Sequence, residues 1–229
     1  MNILITAGGT TESIDTVRGI TNFSSGRLGA KIADEFLRLD NLNTLYYLSA
    51  RQSVKPAIQS DKVTIIDYTD VASLEKIACE LLQDEDIDVI IHSAAVSDYK
   101  IAKVLGPDGK ILDRNEKINS SMLKLTVELE RTPKIISELK TLSPKSSLVG
   151  FKLLSNATVE QLLTAANETL TENSCSFVLA NRLEDIAGEE HKAYLLSSAG
   201  LVAEYDTKTE IAKGLADHLG LVANRMVGL

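Results

Sequence analysis

The sequence predicts an α/β fold, a mostly parallel sheet with helices on both faces. Apolar runs rich in β-branched residues alternate with stretches of helical periodicity along most of the chain. The first run empties into Gly8 and Gly9, and a second glycine-bearing segment, Asn22-Phe23-Ser24-Ser25-Gly26-Arg27-Leu28-Gly29, leads into the first helical pattern. A strand that runs into a loop capping a helix is the ligand-binding end of an open α/β sheet.

The elements follow in order. Strand Asn2–Ala7 is followed by a polar connection of about a dozen residues and a helix over Gly26–Leu39, with Ser24 or Ser25 as its N-cap. Strands Thr44–Ser49 and Val63–Asp67 precede a helix over Val71–Gln83, and Asp88–Ala94 is the fourth strand. Thr132–Thr141 reads as a helix with Pro133 at its first position. Strand Ser147–Leu153, helix Val159–Asn173 and strand Ser176–Ala180 continue the alternation. Ala193–Ser197 and Leu201–Asp206, separated by Ser198-Ala199-Gly200, form an antiparallel hairpin, and a final helix runs from Lys208 to about Val222. The expected unit is one Rossmann-like domain over 1–229.

The region from Ser97 to Arg131 breaks the alternation, with strand-like pieces only at Lys110–Asp113 and Lys124–Glu130. A connection longer than about 15 residues in a compact domain is a lid, a binding arm or disorder. Its alternating Leu123, Leu125, Val127 and Leu129 need an apolar surface, either the core or a second copy of the chain.

Composition narrows the classes. With 229 residues, 44% hydrophobic and 24% charged, the chain has the balance of a soluble enzyme with a sizeable core. No apolar run reaches the roughly 18 residues of a membrane span, and no signal peptide is expected. Cys79 and Cys175 lack a CxxC or a nearby histidine and read as buried thiols in a reducing cytoplasm. A net charge of −8 without a basic stripe argues against a nucleic-acid partner. An anionic ligand must therefore be held by local groups.

Gly8, Gly9, Ser24, Ser25, Gly26 and Gly29 supply the candidate groups, because unpaired N–H donors at a helix start attract phosphate. The spacing is neither GxGxxG nor the P-loop. Ser93, Ala94 and Ala95, at the end of the fourth strand, are small enough for backbone to reach a ligand or for tight helix–strand packing. Asp98 is either a loop cap or a partner for a ribose hydroxyl or a magnesium-bound phosphate. Phe151 is a core ring or a surface for a base. Lys117, in the irregular region, is a solvated charge or a flap residue that closes over phosphate. Asn22 is a helix-entry cap or an amide donor to developing negative charge. His92 reads as a satisfied core histidine, and His191 and His218 as isolated and exposed. No His/Cys/Glu group has metal-site spacing.

Together these segments resemble the phosphopantothenate–cysteine ligases. The resemblance rests on Ile5-Thr6-Ala7-Gly8-Gly9-Thr10, Glu12, Ile14-Asp15-x-Val17-Arg18 and Ile20-Thr21-Asn22-x-Ser24-Ser25-Gly26-x-x-Gly29. It continues through Ala94-Ala95-Val96-Ser97-Asp98-Tyr99, Lys117-Ile118, Leu125 to Pro133, Gly150-Phe151-Lys152-Leu153 and Leu179-Ala180-Asn181. The order is collinear over nearly the whole chain. The resemblance implies CTP-dependent activation of the 4'-phosphopantothenate carboxylate as an acyl-cytidylate, with magnesium and release of pyrophosphate, followed by displacement of CMP by the amine of cysteine. ATP is the alternative nucleotide. It implies a homodimer whose active sites border the interface, Asn22 on the intermediate, Lys117 on a flap, and Ala94, Ala95, Asp98 and Phe151 around the nucleotide. It implies the stand-alone form, with phosphopantothenoylcysteine decarboxylase as a separate downstream protein. One departure concerns Val159–Asn173, which contains none of the lysines that the fused enzymes carry near the nucleotide phosphates.

The rival readings are a short-chain dehydrogenase and a non-catalytic nucleotide-binding protein. Against the first, no GxxxGxG follows the first strand, and Tyr99 and Lys103 have the catalytic spacing in a loop rather than a helix.

Overall fold

The computed structural model describes the backbone of residues 1–226 and the side chains of residues 1–220. Residues 227–229 of the expected 1–229 unit lie outside the described residues. The chain begins with β1 (Asn2–Ala7), a small hairpin of β2 (Thr11–Ser13) and β3 (Gly19–Thr21), and α1 (Arg27–Phe36). It continues through β4 (Thr44–Ala50), β5 (Val63–Tyr68), α2 (Val71–Asp84) and β6 (Val89–His92). An arm follows, built on β7 (Tyr99–Leu105) and β8 (Thr126–Arg131), then α3 (Ile135–Leu142), β9 (Ser147–Leu154), α4 (Val159–Glu172) and β10 (Phe177–Ala187). The chain closes with β11 (Glu190–Ser197), β12 (Gly200–Thr207) and α5 (Lys208–Met226).

Eight strands form one sheet in the order β12-β11-β10-β9-β6-β1-β4-β5. Neighbours from β10 across to β5 are parallel, and β11 and β12 add an antiparallel edge. Strand order reverses at β1, with β4 on one side and β6 on the other. That reversal opens a crevice at the carboxyl ends of β1 and β6.

Two-sided burial explains the apolar strands. Ile3, Ile5 and Ala7 of β1 join the layer under α1 and α5, with Ala30, Ala33, Phe36, Ile211 and Leu215. Leu4 joins the opposite layer, with Leu74 of α2, Leu139 of α3 and Leu162 of α4. Capping boxes start α2 (Asp70 with Ser73) and α4 (Thr158 with Gln161). Glu12 is buried against the start of α2, where Oε1 accepts from the Val71 N–H at 3.0 Å.

Several expectations require correction. The N-cap of α1 is Gly26 at φ 72°, with no side-chain cap, because the backbone enters the helix through a left-handed turn that a serine disfavours. Pro133 is not the first residue of α3, which begins at Ile135 after the N-cap Lys134. Thr132 is instead tied to the loop after β6: its N–H donates to Asp98 O at 3.0 Å and its hydroxyl to Ser97 O at 2.6 Å. The dozen-residue polar connection contains the β2–β3 hairpin. β10 extends to Ala187 and turns at Gly188 into β11, a hairpin hidden by its charged residues Arg182, Glu184 and Asp185. Cys175 is buried, its thiol pushed up to about 11 by desolvation, whereas Cys79 is only half-buried.

In the arm, Lys110–Asp113 is not a strand. Only Ile111 bridges, to Leu105, because the chain has just reversed at Gly106–Gly109. The partner of β8 is β7, in antiparallel register from Tyr99↔Arg131 to Leu105↔Thr126. Leu125 and Val127 pack in a separate small core around Ile101, Val104 and Ile118, while Leu123 and Leu129 stay exposed.

Candidate active site

The ends of β1 and β6 are locked together. The Tyr68 hydroxyl donates to Ala7 O at 2.8 Å and Gly8 O at 3.1 Å from beneath the first loop. Ser93 Oγ donates to Thr6 O at 2.6 Å, Ala95 N to Gly8 O at 2.9 Å, and Thr10 N to Ala95 O at 3.2 Å. Thr6 Oγ1 accepts from Ala94 N at 3.3 Å and lies 2.8 Å from His92 Nδ1. That contact gives the buried ring a polar partner in either tautomer. Burial pushes that imidazole down to about 4, so it is neutral, as a core histidine should be.

Two glycines make the convergence of loops sterically feasible. A Cβ on Gly9 would lie 1.8 Å from the Asn22 carbonyl oxygen. One on Gly29 would lie 2.6 Å from Ala7 Cβ and 2.9 Å from Ser93 Oγ, so α1 rests directly on the sheet edge. Among the described residues, the N–H groups of Ser24, Ser25, Gly26, Leu28 and Gly29 find no backbone acceptor, and only Arg27 N approaches Ser25 Oγ, at 3.5 Å. Donors in the first turn remain available to an anion.

A crevice of three lobes runs along this rim. A cavity of 340 Å³ lies over Ser24, Ser25, Gly26 and Gly29, facing Ser93, Ala94, Ala95 and Phe151. A second, of 640 Å³, is reached past Ser24 and is bounded by Gly9, Asn22 and Arg51. A third, of 390 Å³, shares Ala94 and Phe151 and includes Asp98, Lys134 and Lys152. Every residue proposed from the sequence for catalysis or nucleotide binding lines one of these lobes except Gly8, buried beneath the loop, and Lys117. Asn22 is held by a bond from Nδ2 to Val96 O at 3.1 Å. Asp98 is exposed at the mouth.

Lys117 sits on the exterior of the arm, without a hydrogen bond or ion pair among the described residues, beside an anchored neighbour. Asp15 accepts from the N–H groups of Val17 (2.8 Å), Arg18 (2.8 Å) and Ile118 (3.1 Å), and from the Arg18 guanidinium. The same guanidinium donates to Ile118 O at 2.7 Å. The Arg18 side chain beside it holds the Asp15 carboxyl well below the usual carboxylate range. The Asp15-x-Val17-Arg18 motif is thus a clip that fastens the arm to the β2–β3 hairpin.

Sequence reasoning missed two residues in the first lobe. His191 is 5% exposed, not isolated on the surface, and neither ring nitrogen has a hydrogen-bond partner. Lys208, the first residue of α5, is 6% exposed and bonds Gly188 O. The period-two pattern of His191, Ala193 and Leu195, all inward, was the available signal. His218 is half-buried, its ring 6.3 Å from that of Phe177. Tyr99 and Lys103 both lie on β7, and Lys103 pairs with Glu128 at 3.5 Å, which removes the dehydrogenase-type pair. No group of three or more His, Cys, Asp or Glu converges among the described residues.

Residues 1–221 match the family described as DNA/pantothenate metabolism flavoprotein C-terminal domain. The chain is 33% identical to the Coenzyme A biosynthesis bifunctional protein CoaBC of Thermococcus kodakarensis, covering 95% of this chain and 50% of that protein. It is 29% identical to the protein of the same name from Methanocaldococcus jannaschii, over 94% of this chain and 49% of that one. The chain thus spans about half the length of these curated relatives. Among solved structures, the DNA/pantothenate metabolism flavoprotein from Streptococcus pneumoniae superposes with a TM-score of 0.86 at 33% identity, covering 97% of this chain and 99% of that one. The C-terminal domain of a bifunctional CoaBC superposes with a TM-score of 0.73 at 26% identity, over 98% and 96% of the two chains.

Proposed function

We propose that this chain, which belongs to the DNA/pantothenate metabolism flavoprotein C-terminal domain family, is a phosphopantothenate–cysteine ligase acting in coenzyme A biosynthesis. The observation that carries the reading is the rim itself. Free N–H donors at the start of α1 face small residues at the end of β6, at the point where strand order reverses. Such a site suits a nucleotide whose phosphate reacts with a carboxylate. The names of the relatives, coenzyme A biosynthesis proteins, support the pathway.

The proposed chemistry has two steps. The 4'-phosphopantothenate carboxylate attacks the α-phosphorus of CTP, with ATP as the alternative, and pyrophosphate leaves. The amine of cysteine then attacks the acyl carbon, loses a proton, and displaces the nucleoside monophosphate. Reactants of like charge must be brought together, so catalysis rests on positioning and electrostatic stabilisation, with no protein nucleophile. Asn22, oriented by Val96 O, presents its amide to the acyl phosphate where the 640 Å³ and 340 Å³ lobes meet at Ser24. Ala94, Ala95 and Phe151 receive the nucleoside, and Asp98 lies at its edge. Magnesium would neutralise phosphate charge and be held mainly through the nucleotide's own phosphates, as the resemblance implies. The resemblance assigns Lys117 to a flap, which reaches the crevice by movement of the 115–119 segment or from a second subunit. Exposed Leu123, Leu129, Tyr99 and Ile111 on the arm are the proposed dimer contact, with residues 97–131 forming the arm of one ligase unit in the cytoplasm.

The test is to incubate the protein with 4'-phosphopantothenate, cysteine, magnesium and either CTP or ATP. Formation of 4'-phosphopantothenoylcysteine in step with pyrophosphate is expected, with CTP preferred. Absence of product with both nucleotides rejects the reading.

A further inference from the structure

We infer that Arg27, Lys208 and His191 hold the polyphosphate of the nucleotide in the cleft between the start of α1 and the β10–β11 hairpin. The inference rests on the ligase reading and fixes which way the nucleotide lies.

Charge separates the lobes. The 340 Å³ lobe is lined by two cations, Arg27 and Lys208, and by no carboxylate. The 390 Å³ lobe sets Asp98, Glu168 and Glu172 against Lys134 and Lys152, and α4 gives it no lysine. The 640 Å³ lobe has one charged residue, Arg51. A highly charged anion is therefore best accommodated on the α1 side, where the unpaired first-turn N–H groups add their dipoles.

His191 is the independent sign of a ligand. It lines that lobe, is almost wholly buried, and has two ring nitrogens without a partner. Leaving such a group unpaired is unfavourable, and a phosphate oxygen within the lobe would satisfy one nitrogen. Lys208 has a partner in Gly188 O, but that carbonyl leaves its charge unbalanced. A buried cation at the first residue of a helix opposes the helix dipole. Burial pushes its amine below the usual lysine range and Arg27 and Lys31 push the same way, with Glu189 alone opposing. Glu189 is itself engaged by Lys31 at 3.2 Å. An incoming anion relieves this crowding of like charges. With the β- and γ-phosphates at Lys208 and His191, the α-phosphate falls near Ser24, which borders the Asn22 lobe, and the base lies toward Ala94 and Phe151.

The experiment measures binding of CTP, inorganic tripolyphosphate and cytidine to the full chain by calorimetry. Arg27→Gln, at an exposed position, and Lys208→Met should each weaken CTP and tripolyphosphate by about tenfold or more. His191→Leu should weaken both by a smaller factor, and cytidine affinity should hold in all three. Unchanged CTP affinity in Arg27→Gln and Lys208→Met, or a parallel fall for cytidine, overturns the inference. If the unaltered protein binds tripolyphosphate with these same losses but binds neither CTP nor ATP, the anion site stands and the nucleotide reading fails. If it binds CTP and the variants bind it equally well, the reading stands and this assignment fails.

Discussion

The rim of the sheet runs into the arm at Ser97 and Asp98, yet the two regions are stabilised in opposite ways. At the rim, Thr6, Gly8, Ser93 and Ala95 exchange short hydrogen bonds over a core shared with five helices. The arm packs on three buried residues of its own, Ile101, Val104 and Ile118, and is tethered through Asp15, Arg18 and Arg114, which bonds Ser13 O and Ile101 O. A region with few buried contacts opens locally at lower free energy than the global transition. The contrast fits the proposed roles, in which the rim holds the donors of the nucleotide site in place and the arm carries the flap.

The comparison breaks first at the rim. Gly29→Val drives a branched side chain into Ala7 and Ser93, and should destabilise the whole protein by about 3 kcal/mol, read from the denaturant midpoint. A midpoint close to that of the unaltered protein would show that α1 does not rest on the sheet edge as described. In the arm, Leu125→Asp with Val127→Asp should unfold only that region. Proteolysis within 99–131 should become fast and ligase activity should fall, while the main thermal transition moves little. One shared transition at lower temperature would mean that arm and body fold as a unit.

Smaller changes sharpen the same contrast. Asp15→Asn loosens the clip, so amide exchange should rise at Ile118 and its neighbours but not in β1 or β6. Acid should mimic this variant. A carboxyl held below its usual value stabilises the folded form above the unfolded pKa of about 4 and loses that contribution as pH falls toward the folded value. Arm protection should therefore be flat above about pH 5 and decline below about pH 4. Leu123→Asp and Leu129→Asp should leave stability within about 0.5 kcal/mol, since both side chains are exposed, but should lower the sedimenting mass of a dimer. An unchanged mass would move the interface elsewhere.

How legible each region was follows from the same physics. The body was readable because two-sided burial imposes apolar runs, as in Ile3 to Ala7 and Val89 to Ile91, and because capping residues such as Asp70 and Thr158 mark helix starts. The arm was misread at Lys110–Asp113 because its pairing runs between β7 and β8, some twenty residues apart, with polar, exposed side chains that carry no clear period. Gly26 was passed over as the N-cap because serines are the usual caps, and a left-handed entry leaves no mark beyond the glycine itself. His191 reads as exposed because it stands isolated among polar residues, whereas the bent β10–β11 hairpin carries the ring inward.

In the proposed reaction an acyl-nucleotide forms at the rim before cysteine enters. Rapid mixing of the protein with 4'-phosphopantothenate, magnesium and CTP, with no cysteine present, tests it most directly. A burst of pyrophosphate approaching one per site is expected, with CMP released only when cysteine is added. Asn22→Asp, which sets a carboxylate beside the acyl phosphate, should stop the second phase most severely. Pyrophosphate that waits for cysteine, or CMP that leaves freely without it, would contradict an acyl-nucleotide intermediate.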